Sequence, residues 1–366
     1  MATDRLQPTV TPGSLLDMLR ANPRIQSPAS HRDDLVTILM GTWLMIGLFV
    51  DGWAHNNLPG LETFFTPWHG IFYSGFLATA VWMSWLVLRN LRAGKAGAAA
   101  VPFGYGMGLL GLILFGLGGF GDMLWHIIFG IEKDIEALLS PTHLLIFIGG
   151  VLVISTPARA AWARKEQTAP RFGQFLPALI SVTMTAAFVI FMNQYAWGLN
   201  RNIPFATMAG YYQSLPVQVR AAMVEAHTSM TATQILLSTA MVMAPLLLMV
   251  RRWRLPAGSI FFFVSVITLL MTGMRAFQDL HTRLFAPVAA ALLIEALLAA
   301  LRPAPNRLFA FRAFALVAPL LFWSCYFTAG QLVWGMYWTP ELWAGITVMA
   351  GLVGLGLSVL VVPEAQ

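Results

Sequence analysis

Two stretches of an otherwise almost uncharged chain carry residues that could do chemistry. The first, DGWAHNNLPGLETFFTPWHG, contains Asp51, His55, Glu62 and His69. The second, DMLWHIIFGIEKDIEALLSPTH, contains Asp122, His126, Glu132 and His143. They align as D-x3-H, then G-[LI]-E, then [ST]-P-x-H-x5-G, ending at Gly75 and Gly149, with four extra residues before the Pro of the second copy. Residues four apart share one helix face, so each Asp points the same way as its His. Pro67 and Pro141 suit a first helical turn, where a missing N–H costs nothing. Thr66 and Ser140 suit the N-cap before it. A hairpin would then fold His69 and His143 back onto the Asp/His pairs. Each copy offers two imidazoles and one or two carboxylates without thiolate, a donor set for zinc, copper(II) or iron.

Asp51, His55, His69, Asp122, His126 and His143 are therefore read as metal ligands. Glu62 and Glu132 are read as further ligands, orienters of the imidazoles or proton-transfer groups, which makes them the candidate catalytic residues. A paired hydrogen-bond network, or a quinone or proton site, would use the same residue types. Duplication of all four positions favours metal. His227 and His281 lie on the same side of the chain's topology and are read as additional metal ligands.

The elements that position these residues are apolar. The chain is 58% hydrophobic and 10% charged, with mean hydropathy +0.70, against roughly 25% charged for a soluble domain. Continuous apolar runs of about 20 residues recur throughout, as expected of an all-α, polytopic membrane protein. Ten spans are expected, near 35–55, 67–90, 101–128, 141–163, 174–198, 222–250, 256–280, 284–302, 309–334 and 340–362, arranged as five helical hairpins. Residues 1–34 form a polar tail, 35–165 the repeat pair with the metal site, and 166–366 degenerate repeats. In those, Asn193 and Trp197 stand where Asp and His would be, Arg275 and Asp279 are spaced as a structural ion pair, and Glu295 lies alone in a span as a packed acid or a contact to Arg302.

All but five of the 22 basic residues fall on the side of the N-terminus, the exceptions being Lys133, Arg201, Arg220, Arg275 and Arg283. That bias places both termini in the cytoplasm of a bacterial inner membrane, with the metal ligands on the opposite, acidic, periplasmic face. It also explains the net charge of +6 without nucleic acid. The single cysteine, Cys325, excludes an intramolecular disulfide. The lipid bilayer is the expected partner. Further membrane subunits and self-association are left open.

The Asp-x3-His pattern with a later His is similar to that of the membrane C subunit of copper-dependent monooxygenases (particulate methane and ammonia monooxygenases). The matching residues are Asp51, His55 and His69, then Asp122, His126 and His143. The second copy here begins with Asp rather than the Asn of that subunit, and the Gly-Leu/Ile-Glu element is not part of the resemblance. What it implies is copper, ahead of zinc or iron, and oxygen chemistry. The functional expectation is a metal-dependent oxidoreductase acting on a membrane or periplasmic substrate. The alternatives are a zinc-dependent hydrolase, or a metal-handling, transport or assembly subunit.

Overall fold

The computed structural model describes residues 18–19, 22, 24–58, 64–130, 135–164 and 168–363. Among these the chain is all-helical, with no strand beyond two isolated bridges. The first repeat is the hairpin α1 (His31–Asn57) and α2 (Pro67–Arg92). The second is α3 (Gly106–Phe129) against α4 (Pro141–Ile154) and α5 (Thr156–Ala163). Then follow α6 (Phe172–Met192), α7 (Val217–Arg252), α8 (Ser259–Gly273), α9 (His281–Leu301), α10 (Leu308–Trp334) and α11 (Pro340–Val361).

Eight of these helices are long and apolar enough to cross a membrane, and α4 with α5 makes a ninth if the pair is one span. That pair bends by 42° at Ser155. Pro157 has no N–H to continue the ladder. Ser181 of α6 enters the break, donating to the Ile154 carbonyl at 2.6 Å and accepting from the Ala158 N–H at 3.1 Å. The seventh expected span is shorter than its apolar run. α8 has 15 residues and stops at Gly273, because Ala276, Phe277 and Asp279 adopt positive φ of 51–57°, which cannot continue a right-handed helix.

This break also corrects the expected ion pair. Without helix between them, Arg275 and Asp279 lose their i,i+4 geometry. Asp279 pairs instead with Arg283, across the π-helical first turn of α9, at 3.1 Å, and accepts from Asn202 at 2.9 Å. In the same half of the chain, Asn193 lies just past the end of α6 and bonds back to the Val189 carbonyl, while Trp197 is core.

α6 is the central helix. Its apolar window is 72% buried, against 28% for α2 and 33% for α3. The core around it includes Leu179, Ala187, Phe188 and Ile190 from α6 and Phe49, Phe263 and Ile267 from its neighbours. At the basic ends of the helices, Ser30 and Asp33 form a capping box on α1. Arg89 of α2 grips Asp33 with two bonds of 3.0 and 2.9 Å, and Tyr105 and Arg164 hold Asp34. The Arg89 bonds close the first hairpin, and those of Asp34 tie it to the second repeat, at the end away from the His residues.

Glu295 contacts α8 rather than Arg302. Its carboxyl oxygens accept from the N–H groups of Gly258 and Ile260 at 2.9 Å and of Phe261 at 3.2 Å, supplying a cap that Gly258 at the N-cap cannot. Glu295→Leu is expected to cost about 2 kcal/mol, since three donors lose their acceptor, and Glu295→Gln about half of that. Equal detergent-unfolding midpoints for wild type and Glu295→Leu would refute the capping role.

Candidate metal centre

The site begins with helix ends. Asp51 and His55 stand on the last turns of α1, and Asp122 and His126 on those of α3. In each hairpin the second arm starts with Pro at its first position behind a hydroxyl N-cap: Thr66 accepts from the His69 N–H at 3.2 Å, and Ser140 from the His143 N–H at 3.4 Å. The same hydroxyls contact the imidazole Nδ1 of those histidines, at 3.0 and 2.8 Å. One side chain thus caps the helix and fixes the ring, leaving each Nε2 turned toward the facing helix.

There the Nε2 atoms meet a carboxylate. His55 and His69 lie 3.8 and 3.6 Å from Asp51 Oδ2. His126 and His143 lie 3.5 and 3.1 Å from Asp122 Oδ1. In each triad the three ligand atoms fall within 4.8 Å of one another. Ligands 2.0–2.2 Å from a shared ion would sit roughly 3–4 Å apart, so a small closure completes either site. His126 Nδ1 is held by the Gly130 carbonyl at 3.1 Å. That carbonyl is turned back by Gly130 at φ 83°, a conformation open to glycine.

The donor chemistry fits a cation. Asp51 Oδ1 is buried with no hydrogen-bond partner in the protein, an arrangement that calls for a proton or an ion. Asp122 is served on both oxygens, by Thr142 at 3.1 Å and by Tyr73 at 3.3 Å. These contacts orient it toward the imidazoles as outer partners orient a metal ligand.

The two triads adjoin. The rings of His69 and His126 are 6.3 Å apart, and Phe64 lies against both, at 5.1 and 6.0 Å. Tyr73, one turn below His69 on α2, donates to Asp122 of the other repeat. Four imidazoles therefore run in a row, His55, His69, His126, His143, with successive centroids 5.7, 6.3 and 5.9 Å apart.

Six of the eight expected metal ligands are thus brought together. His227 and His281 join neither group. His227 contacts Tyr212 at 3.2 Å and stacks on Tyr211, while His281 packs edge-on to Phe285. Glu62 and Glu132 lie outside the described residues.

No family model matches this chain, and no curated protein or solved structure does. The reading of the site therefore stands on its geometry.

The repeat pattern includes Gly75 and Gly149 but not their counterparts Gly47 and Gly118, and together the four set the hairpin register. A Cβ at Gly75 would come within 2.5 Å of the Leu44 backbone on α1, and one at Gly47 within 2.6 Å of Phe72. In the second repeat Gly149 meets Phe115 at 2.5 Å and Gly118 meets Ile146 at 2.8 Å. Gly47 and Gly118 each stand four residues before the site Asp, and Gly75 and Gly149 each six after the second His. The repeat is thus G-x3-D-x3-H … H-x5-G, with backbones touching one to two turns inside the site. The signal was present as a second, aligned pair of glycines.

Thr66→Val and Ser140→Ala are expected to lower metal affinity 10- to 100-fold by releasing an imidazole, and helix stability by about 1 kcal/mol. Competition against a chromophoric chelator reads the first effect. Unchanged affinity in both variants would remove the hydroxyls from the site.

Proposed function

We propose that this chain is an inner-membrane metalloprotein with ten crossings, both termini on the basic cytoplasmic side and two adjoining Asp/His/His metal sites at the periplasmic face. The observation that carries this reading is the paired convergence: two triads whose Nε2 atoms face a carboxylate, with three of the Nδ1 atoms anchored by protein oxygens.

Each triad would hold one ion through two imidazoles and one carboxylate, leaving positions open for substrate. A redox metal bound there supplies oxygen or electron-transfer chemistry, and zinc would supply an activated water. The resemblance of the six ligands to the copper monooxygenase subunit favours copper and an oxidoreductase. Within the protein, Asp122 and Asp51 bind the cation, Thr66, Ser140 and Gly130 orient the rings, and Phe64 screens the adjoining imidazoles from water.

A transport role has less support. Directly inside the triads the helices present Leu48, Phe49, Phe72, Phe115 and Ile146, all buried apolar core, and an ion crossing that layer would have no ligands.

Purified protein is expected to carry one to two equivalents of a transition metal by elemental analysis, and a His55→Ala/His126→Ala variant less than one-tenth of that. Paramagnetic resonance would identify copper(II) with nitrogen ligands. Metal-free wild-type protein that also fails to take up copper, iron or zinc would leave the triads as a hydrogen-bonded scaffold.

A further inference from the structure

A cavity of about 640 Å³ lies between α2 and α3, beside the metal centre. Its walls include Phe76 and Phe115, stacked at 4.3 Å, with Phe64, Phe120 and Met123. None of its lining residues is Asp, Glu, Lys or Arg. It runs from Pro67 to Phe76 along α2, about 14 Å at the rise of an α-helix, and so lies in the outer part of the bilayer. Both helices leave most of their apolar length unburied, with Leu77, Val81, Leu117 and Phe120 all exposed. The groove is therefore entered from lipid, not from water.

Its polar atoms are confined to one end, at Thr66, His69 and Tyr73. His69 is already engaged at both ring nitrogens, by Thr66 and by Asp51. Tyr73 spends its proton on Asp122, so its oxygen keeps acceptor capacity. A ligand that satisfies this end must donate a hydrogen bond and carry no charge. The floor has been kept clear as well. A Cβ at Gly70 would meet nothing within 4 Å, and one at Gly116 only Phe76 at 3.7 Å. One at Gly119 would strike the Tyr73 ring at 2.7 Å, so that glycine makes room for the tyrosine.

We infer that this groove binds an uncharged, single-chain alcohol from the bilayer, its hydroxyl donating to Tyr73 and its chain lying along Phe76, Phe115 and Phe120. The volume falls in the usual range for small-molecule sites. As a statement about the substrate of the metal centre this rests on the function proposed above, because Tyr73 links the hydroxyl to Asp122. The binding itself does not need the metal.

The test uses full-length protein in lipid nanodiscs and two photoreactive probes, a diazirine-bearing hexadecanol and the matching hexadecane, with cross-links mapped by mass spectrometry. The alcohol is expected to label 64–76 and 115–123 about fivefold more than the hydrocarbon, the preference arising from one hydrogen bond. Tyr73→Phe should erase that preference. Gly116→Leu, which fills the groove six residues before Asp122 on α3, should cut labelling about fivefold with metal content unchanged. Equal labelling by the two probes, or labelling unaffected by Gly116→Leu, overturns the groove proposal even if metal is bound. The expected labelling on a wild-type protein that takes up no metal would overturn the metal reading and leave the groove standing.

Discussion

Replacing Asp122 by Asn is expected to empty the second metal site while leaving the fold in place. Asn keeps the volume of Asp and its Oδ1 can still accept from Thr142, which sits 3.1 Å from the native oxygen. It cannot supply the anionic ligand toward which His126 and His143 turn. Loss of an orienting group alone lowers affinity 10- to 100-fold, so loss of the ligand itself should lower it by more than about 100-fold. Asp122→Ala adds a stability cost of about 1–3 kcal/mol, because the hydroxyls of Thr142 and Tyr73 lose their acceptor. Elemental analysis and chelator competition read the first effect and detergent unfolding the second. The pair of variants separates the two readings of the triad. A hydrogen-bonded scaffold would tolerate Asn and show no difference in metal content between wild type and variant.

The second large effect is expected one to two turns inside the ligands. Gly75→Leu and Gly149→Leu place a side chain where a single Cβ would already lie 2.5 Å from the backbone of the facing helix. Backbone cannot rotate aside as a side-chain tip does, so the helices of the hairpin must separate. Overpacking in a core costs about 1–3 kcal/mol, and more where the neighbour is fixed. Separation also moves His69 away from Asp51, or His143 from Asp122. Each substitution should therefore lower the unfolding midpoint and remove metal from its own site. The site of the other repeat should be weakened less, through Tyr73 and the His69–His126 contact. A variant that is destabilised yet retains two full-affinity sites would show that the register does not position the ligands.

Both effects trace to one arrangement. The ligands sit at helix ends and the glycine contacts sit one to two turns inside, so a short stretch of close packing holds the geometry of each hairpin end. At the opposite ends the Asp34–Arg164 bridge holds the two hairpins together, and Asp33–Arg89 holds the first one closed.

Much of the site was legible along the chain because its determinants are local. Asp51 with His55, and Asp122 with His126, meet through the i,i+4 spacing of one helix. Thr66-Pro67 and Ser140-Pro141 start their helices and place His69 and His143 in the first turn, and the structure shows both caps. The apolar runs specify helices, since lipid-length segments must satisfy their own backbone.

Other features were decided only in three dimensions. Whether Asp279 bonds Arg275 or Arg283 depended on a backbone break at three positive-φ residues, which an i,i+4 count does not register. Glu295 found its partners 34 to 37 residues away, at a helix start that lacks a cap of its own. The meeting of the two triads through Tyr73, Phe64 and the facing imidazoles, and the apolar groove beside them, follow from how the first hairpin packs beside the second. No residue spacing carries that packing. By itself the sequence determined which residues could be ligands and which helix ends bear them, because short-range backbone geometry does that. The tertiary structure alone decided that the two sets stand side by side, because that depends on side chains of different hairpins packing together, Tyr73 against Asp122 and His69 against His126.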